Sequence, residues 1–284
     1  MTVVSERVGQ FFIDGQRLEF TEYGGGPRHV VLLHGQLLPR RMHHHLARTL
    51  AEAGNHVISL DLLGHGRSDR PADPAAYSMT AFAEQVLGLL DHLGIDDAVI
   101  GGTSLGANVS LEIAVSAPDR VRGLIIEMPV LENALHAGIV AFVPLMFAAR
   151  YLPFTVKTVR ALTRPIPRGL VPFWAGVVLD TMDQRPEPMA AMLHGVIFGR
   201  VAPPTKARRQ ITKPALVVGH HRDWVHPMAD AEMVARELPQ ARFVSASTLL
   251  EWRLNPERLD AEAIGFVDEV WAPVVRAKRR ARTR

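Results

Sequence analysis

The 284-residue chain contains no cysteine. That excludes a disulfide framework and any thiolate metal site, and it suits a reducing compartment. No window reaches the 18 or so uninterrupted apolar residues that a membrane-spanning helix needs. The first residues, Met1 to Arg7, lack a cationic segment feeding an apolar core, so no signal peptide is expected and the expected location is cytoplasmic. There is no internal repeat, and no low-complexity tract before the last few residues. A large excess of one charge is missing too: the formal net charge is +3, and the basic tail at 276–284 carries much of it. Such a tail can bind nucleic acid or an acidic membrane. No aromatic side chain interleaves with its charges, so a solvated, disordered terminus is expected and no nucleic-acid partner. With 48% hydrophobic and 21% charged residues, the composition is that of a folded globular chain, long enough for one large α/β domain with an insertion.

What is present centres on residues 98–108. An apolar run, Ala98-Val99-Ile100, leads into Gly102-Thr103-Ser104-Leu105-Gly106, and a helix is expected over 108–117. Strand, Gly-x-Ser-x-Gly turn and helix in that order form a nucleophile elbow. The turn holds Ser104 in a strained conformation, the glycines let strand and helix approach, and the hydroxyl stands clear beside helix-N-terminal amides.

The rest of the chain alternates strands and helices. Residues 10–20 read as a hairpin around Asp14-Gly15, and 29–33 and 56–60 as buried strands. Residues 41–53 and 79–93 read as helices, the second with an apolar stripe through Phe82, Val86, Leu89, Leu90 and Leu93. Strands follow at 121–127, 214–219 and 241–244, and helices at 228–238 and 256–270. This rhythm predicts an α/β fold, a mostly parallel central sheet with helices on both faces. Sites in such sheets gather at the carboxyl ends of the strands, where His34, Ser104 and Glu127 fall. Between 131 and 209 the rhythm stops. This segment, rich in Phe, Met, Leu, Val, Pro and Arg, reads as a helical cap inserted into a core formed by 1–130 and 210–275.

Four stretches carry a resemblance: His34-Gly35-Gln36, Asp61 to Asp69, Gly102 to Gly106, and Gly219 to Pro227. In that order and spacing the chain resembles the α/β-hydrolase superfamily over nearly its whole length. The resemblance implies Ser104 as nucleophile, Asp223 as acid, and an oxyanion hole built from the backbone amides of Gln36 and Leu105. It also implies a general-base histidine after the last strand. Aligned through Pro256-Glu257-Arg258-Leu259, that position falls near Leu249, and no histidine follows His226. Leucine accepts no proton, and a serine hydroxyl without a base is a poor nucleophile.

Candidate replacements are His226, three residues past Asp223 and able to share its carboxylate; His220 and His221 at the same rim; and His43, near the floor of the site. Of these His226 is preferred. Gln36, His43 and Glu127 are expected on the substrate side, with Glu127 paired to an arginine of the cap. Neighbours on a helix point in different directions, so His43, His44 and His45 are not read as a metal site, and no cofactor is expected. The expected function is hydrolysis of small carboxylic esters with a hydrophobic acyl group. The alternative is a catalytically degenerate homologue that binds an apolar ligand.

Overall fold

The computed structural model describes residues 4–272, so the basic tail at 276–284 lies outside the described residues. Eight strands form one sheet: β1 (Glu6–Ile13), β2 (Gln16–Gly24), β3 (His29–Leu33), β4 (His56–Leu60), β5 (Ala98–Thr103), β6 (Val121–Glu127), β7 (Ala215–His220) and β8 (Ala241–Ala246). Their order is β1-β2-β4-β3-β5-β6-β7-β8. The first two strands are antiparallel, and β2 also meets β4 antiparallel. From β4 across to β8 every pairing is parallel, as the alternation of strands and helices requires.

The central strands are apolar over most of their length because both faces are covered. Successive side chains then enter different cores. Val31 and Leu33 of β3, Ile100 of β5 and Val217 of β7 join one cluster, with the helices α2 (Met79–Leu93) and α3 (Leu105–Ser116). Val30 and Leu32, Val99, and Leu216 and Val218 join the other, with α1 (His44–Glu52) and the C-terminal helix of residues 257–271. The expected stripe on α2 is buried at all of Phe82, Val86, Leu89 and Leu90. Ser78 starts that helix by accepting from the Ala81 amide at 3.1 Å, a side-chain cap of an otherwise orphan donor.

Between β6 and β7 run five helices: α4 (Leu135–Tyr151), α5 (Pro153–Thr163), α6 (Phe173–Met182), α7 (Pro186–Phe198) and α8 (Thr205–Arg208). After β7 come α9 (Met228–Glu237), then β8, α10 (Glu251–Leu254) and α11 (Glu257–Trp271). Most boundaries shift by a few residues from the sequence reading, and two differences bear on the site. The helix expected to begin at 108 begins at Leu105, because Ser104 itself makes the turn and its carbonyl accepts from the Asn108 amide at 3.1 Å. Between the strand expected at 241–244 and the helix expected at 256–270 lies α10, a short helix that brings Arg253 back toward the sheet.

Candidate active site

Ser104 sits between the end of β5 and the first residue of α3, with φ 55° and ψ −108°. A non-glycine residue at such angles is strained, and strain of this kind persists only where the surroundings dictate it. Here they do. A Cβ on Gly106 would lie 2.1 Å from the Leu33 carbonyl oxygen, and one on Gly102 would lie 2.2 Å from the Gly106 carbonyl carbon. Only glycine at both positions lets strand and helix close this tightly. The Ser104 amide is held by the Glu127 carbonyl at 2.9 Å, so its side chain is left to point out of the turn.

The loop after β7 meets it. His226 Nε2 lies 2.9 Å from Ser104 Oγ, and His226 Nδ1 lies 2.7 Å from Asp223 Oδ2. Asp223 Oδ1 also accepts from the backbone amides of Val225 at 2.8 Å and His226 at 3.0 Å. Burial pushes the Asp223 carboxyl up, but the bond and charge of His226 and the two amides outweigh it, and its pKa is lowered below the ordinary value. An ionised carboxylate can only accept, so Nδ1 of His226 carries the proton. Nε2 is then the acceptor, and the Ser104 hydroxyl donates to it.

Gln36 and Leu105 line the same cavity as Ser104. Leu105 opens α3, where an amide has no carbonyl four residues back to bond to, so it is available to a developing oxyanion. The cavity is about 440 Å³, and Leu135, Ile139, Phe142, Val196 and Ile197 of the inserted helices form much of its wall. A larger cavity of about 770 Å³ lies elsewhere, between Arg40, Asp61, Arg70 and Asp180. Its walls are charged and it does not reach Ser104.

The other expected site residues lie behind the cavity. Glu127 is buried, and Arg253 NH2 stands 2.5 Å from its Oε2. Thr103 Oγ1 donates to the same oxygen, and His220 Nε2 is 3.0 Å from Oε1. The arginine comes from α10, not from the inserted helices as expected, because α10 folds back over the strand ends. Burial raises the Glu127 carboxyl, but the charges and hydrogen bonds of Arg253 and His220 outweigh it and hold the group ionised, well below the carboxylate range. Burial lowers His220, and the carboxylate of Glu127 outweighs that and raises it overall.

His43 is buried as well. Its Nε2 donates to the Leu33 carbonyl at 3.1 Å, and burial together with the Arg253 charge lowers its pKa to about 4. Neither His43 nor Glu127 lines the cavity, so the expectation that they face substrate is corrected: both are spent on internal bonds. His221 is exposed and bonds Ser245. Leu249 is half-exposed in a loop whose Thr248 carbonyl accepts from His220 Nδ1 at 3.0 Å.

Asn108 is a residue the sequence reading passed over. Its side-chain nitrogen donates to the carbonyls of Val130 at 2.7 Å and Val201 at 2.6 Å. Its oxygen accepts from the Val130 amide at 3.1 Å. One amide thus ties both stems of the insertion to the first turn of the nucleophile helix. A polar residue in that otherwise apolar, buried turn was the available signal. Asp230, fully buried, holds the first stem further along through the amides of Leu131, Asn133 and Ala134.

Among curated proteins, the chain is 31% identical over 147 residues to a haloalkane dehalogenase of Mycolicibacterium paratuberculosis, a match spanning 49% of each chain. A second match, to a 2-hydroxymuconate semialdehyde hydrolase of Pseudomonas putida, is 44% identical over 70 residues and spans a quarter of each. Among solved structures, the enol-lactonase from Burkholderia xenovorans superposes with a TM-score of 0.74 at 20% identity, over 91% of this chain and 99% of that one. A thermophilic esterase from Thermogutta terrifontis superposes at 0.72 and 24% identity, over 95% and 100%. The alpha/beta hydrolase fold family model matches residues 28–248. With that match, the sheet order and the elbow at Ser104, the chain belongs to the α/β-hydrolase family and has its hydrolase fold.

Proposed function

We propose that the protein is a serine hydrolase that cleaves small carboxylic esters with a hydrophobic acyl group. The observation that carries the reading is the continuous chain from Ser104 Oγ to His226 to Asp223, at 2.9 and 2.7 Å. Ser104 Oγ attacks the acyl carbon as its proton passes to His226 Nε2, and the imidazolium then protonates the departing alkoxide. Water repeats the sequence on the acyl-enzyme, regenerating the serine hydroxyl and releasing the acid. The amides of Gln36 and Leu105 receive the negative charge of each tetrahedral intermediate. Asp223 fixes the imidazole tautomer and steadies the cation. The inserted helices act as a cap over the strand ends, and the apolar wall they supply favours an acyl chain over a charged group.

The degenerate-homologue alternative rested on the lost histidine near Leu249, and it weakens once His226 stands within hydrogen-bond reach. Labelling by a fluorophosphonate probe tests the reading. The parent should label at Ser104, and Ser104→Ala and His226→Ala should not. A parent that does not label, or a Ser104→Ala variant that labels equally, overturns it.

A further inference from the structure

The outer faces of α4 and α5 contradict what a water-facing helix pair should look like. On α4, Leu135, Ile139 and Phe142 face the cavity, and Met146 and Ala149 are buried. The opposite stripe, His136, Val140, Pro144, Phe147 and Tyr151, is exposed and recurs at helical spacing. A solvated face would carry charges there; this one carries aromatic and aliphatic groups. The rings of Phe147 and Tyr151 lie 5.0 Å apart, tilted by 40°, in the open. On α5 no residue is buried. Phe154 is 81% exposed and Leu162 71%, and Leu170 just beyond is 82% exposed. Phe154, Thr158, Ala161 and Leu162 share one face of α5, and Lys157 and Arg164 flank it.

Charge indicates what covers this face. From 134 to 179 there are five Lys and Arg and no Asp or Glu. Across 131–209 there are ten of the first kind against four of the second, whereas 1–130 and 210–275 together hold 16 against 25. Lys157, Arg160 and Arg168 pair with Glu187, Asp183 and Asp180. Among the described residues Arg150 instead stands over the Tyr151 ring at 5.7 Å, and Arg164 is exposed at the end of α5. A second copy docked face to face would bring two cationic surfaces together. An anionic lipid surface supplies both an apolar layer and the opposite charge.

No single helix among the described residues is long and apolar enough to cross a membrane. Taken together α4 and α5 are apolar enough, but they meet at 98°, and the inner face of α4 is committed to the cavity. We infer that this face seats the protein in the plane of an anionic bilayer, with Phe147, Phe154, Leu162 and Leu170 entering the headgroup boundary and Arg150 and Arg164 meeting the lipid phosphates. Because α4 walls the cavity on one side and meets lipid on the other, an apolar substrate dissolved in the bilayer has a short route to Ser104. The surface itself is independent of the acyl-transfer reading.

The test is flotation of the full chain with vesicles of phosphatidylcholine alone, or with about one third phosphatidylglycerol. The parent should float with the anionic vesicles, less with the neutral ones, and less again in high salt. The double variant Phe154→Glu/Leu162→Glu should lower partitioning by roughly tenfold or more. Arg150→Glu/Arg164→Glu should abolish the preference for anionic lipid. All four side chains are exposed and outside the site, so circular dichroism and labelling at Ser104 should match the parent in every variant. Flotation requires no catalysis, so it reads equally well in a chain that fails to label. The inference is overturned if the parent stays at the bottom with both vesicles, or if the variants float like the parent. It is also overturned if a chain ending at 275 loses binding that the variants keep, since the tail is then the binder. A dimer in light scattering that the Phe154→Glu/Leu162→Glu variant splits overturns it as well, in favour of a second copy.

Discussion

The sheet and the inserted helices solve opposite problems. Every residue of β5 and β7 is buried, and the charges that lie beneath the elbow are paired. The outer part of the insertion reverses the first property, although α7 beneath it is largely buried. In α5 nothing is buried, and aromatic side chains stand in the open beside cations. The core concentrates what must not move, namely a strained serine, a fixed imidazole and a satisfied carboxylate. The insertion, on the reading proposed, holds what must suit a substrate or a surface, and it is tied to the core by side-chain bonds that include those of Asn108, Asp230 and Arg41 to Asp180. Precision of position is thus concentrated in the sheet and breadth of contact in the helices.

The largest effect that could break this division lies in the loop after β7. His226→Ala should lower ester turnover by roughly 10²–10⁴-fold, the usual worth of a positioned general base, measured as single-turnover acylation with a p-nitrophenyl ester. His43→Ala should leave turnover within a few-fold, because its imidazole bonds Leu33 and not Ser104. Equal losses in both would show that the core does not separate chemistry from support as described.

Next in size is the buried cluster under the elbow. Glu127→Gln should destabilise the fold by about 3–5 kcal/mol in urea unfolding, because it leaves Arg253 and His220 buried without their anion. Its pH dependence is specific. Glu127 is lowered in the fold, so its stabilisation is present above the unfolded carboxylate value of about 4.3 and fades as pH falls below it. His220 is raised in the fold, so its share is full below its unfolded value of about 6.5 and fades as pH rises through the folded one. The parent's advantage over Glu127→Gln should therefore peak between those two values. A difference that is flat from acid to alkaline pH would remove the pair as its cause.

These residues also mark how far the sequence could be read. The parallel sheet was legible because doubly covered strands are apolar over most of their length, and the elbow because its glycines can be nothing else. Asp223 was legible only through the family resemblance, and His226 as one candidate partner through its spacing on the same loop. Arg253 was not. It lies 126 positions from Glu127 and belongs to a stretch with no helical pattern long enough to announce α10. Asn108 stood out as a polar residue in an apolar turn, but its partners were hidden, being backbone carbonyls 22 and 93 residues away. Local geometry is written in neighbouring residues, whereas ties between distant segments appear only once the chain has closed on itself.

Smaller effects sharpen the comparison from the helical side. Phe142→Ala, which widens the apolar wall, should change the ratio of kcat/KM for octanoyl over butyryl esters by roughly tenfold, about what one or two methylenes of packing are worth. Unfolding should change far less than in Glu127→Gln. An unchanged ratio would mean that the acyl chain lies elsewhere. Smallest of all should be Leu249→His. If His226 already serves as base, a second imidazole in a half-exposed loop should alter turnover by less than about twofold; a gain of tenfold or more would show that the loop after β8 still holds the productive position.

Asp223 and His226 lie on one turn, closed by the amides of Val225 and His226 on the Asp223 side chain. Carboxylate and imidazole are therefore held together within one turn. A shift of the loop as a body would leave the separation between imidazole and carboxylate unchanged and alter only the gap to Ser104. On the reading proposed, warming should therefore lower labelling at Ser104, by widening that gap, before circular dichroism reports melting of the sheet.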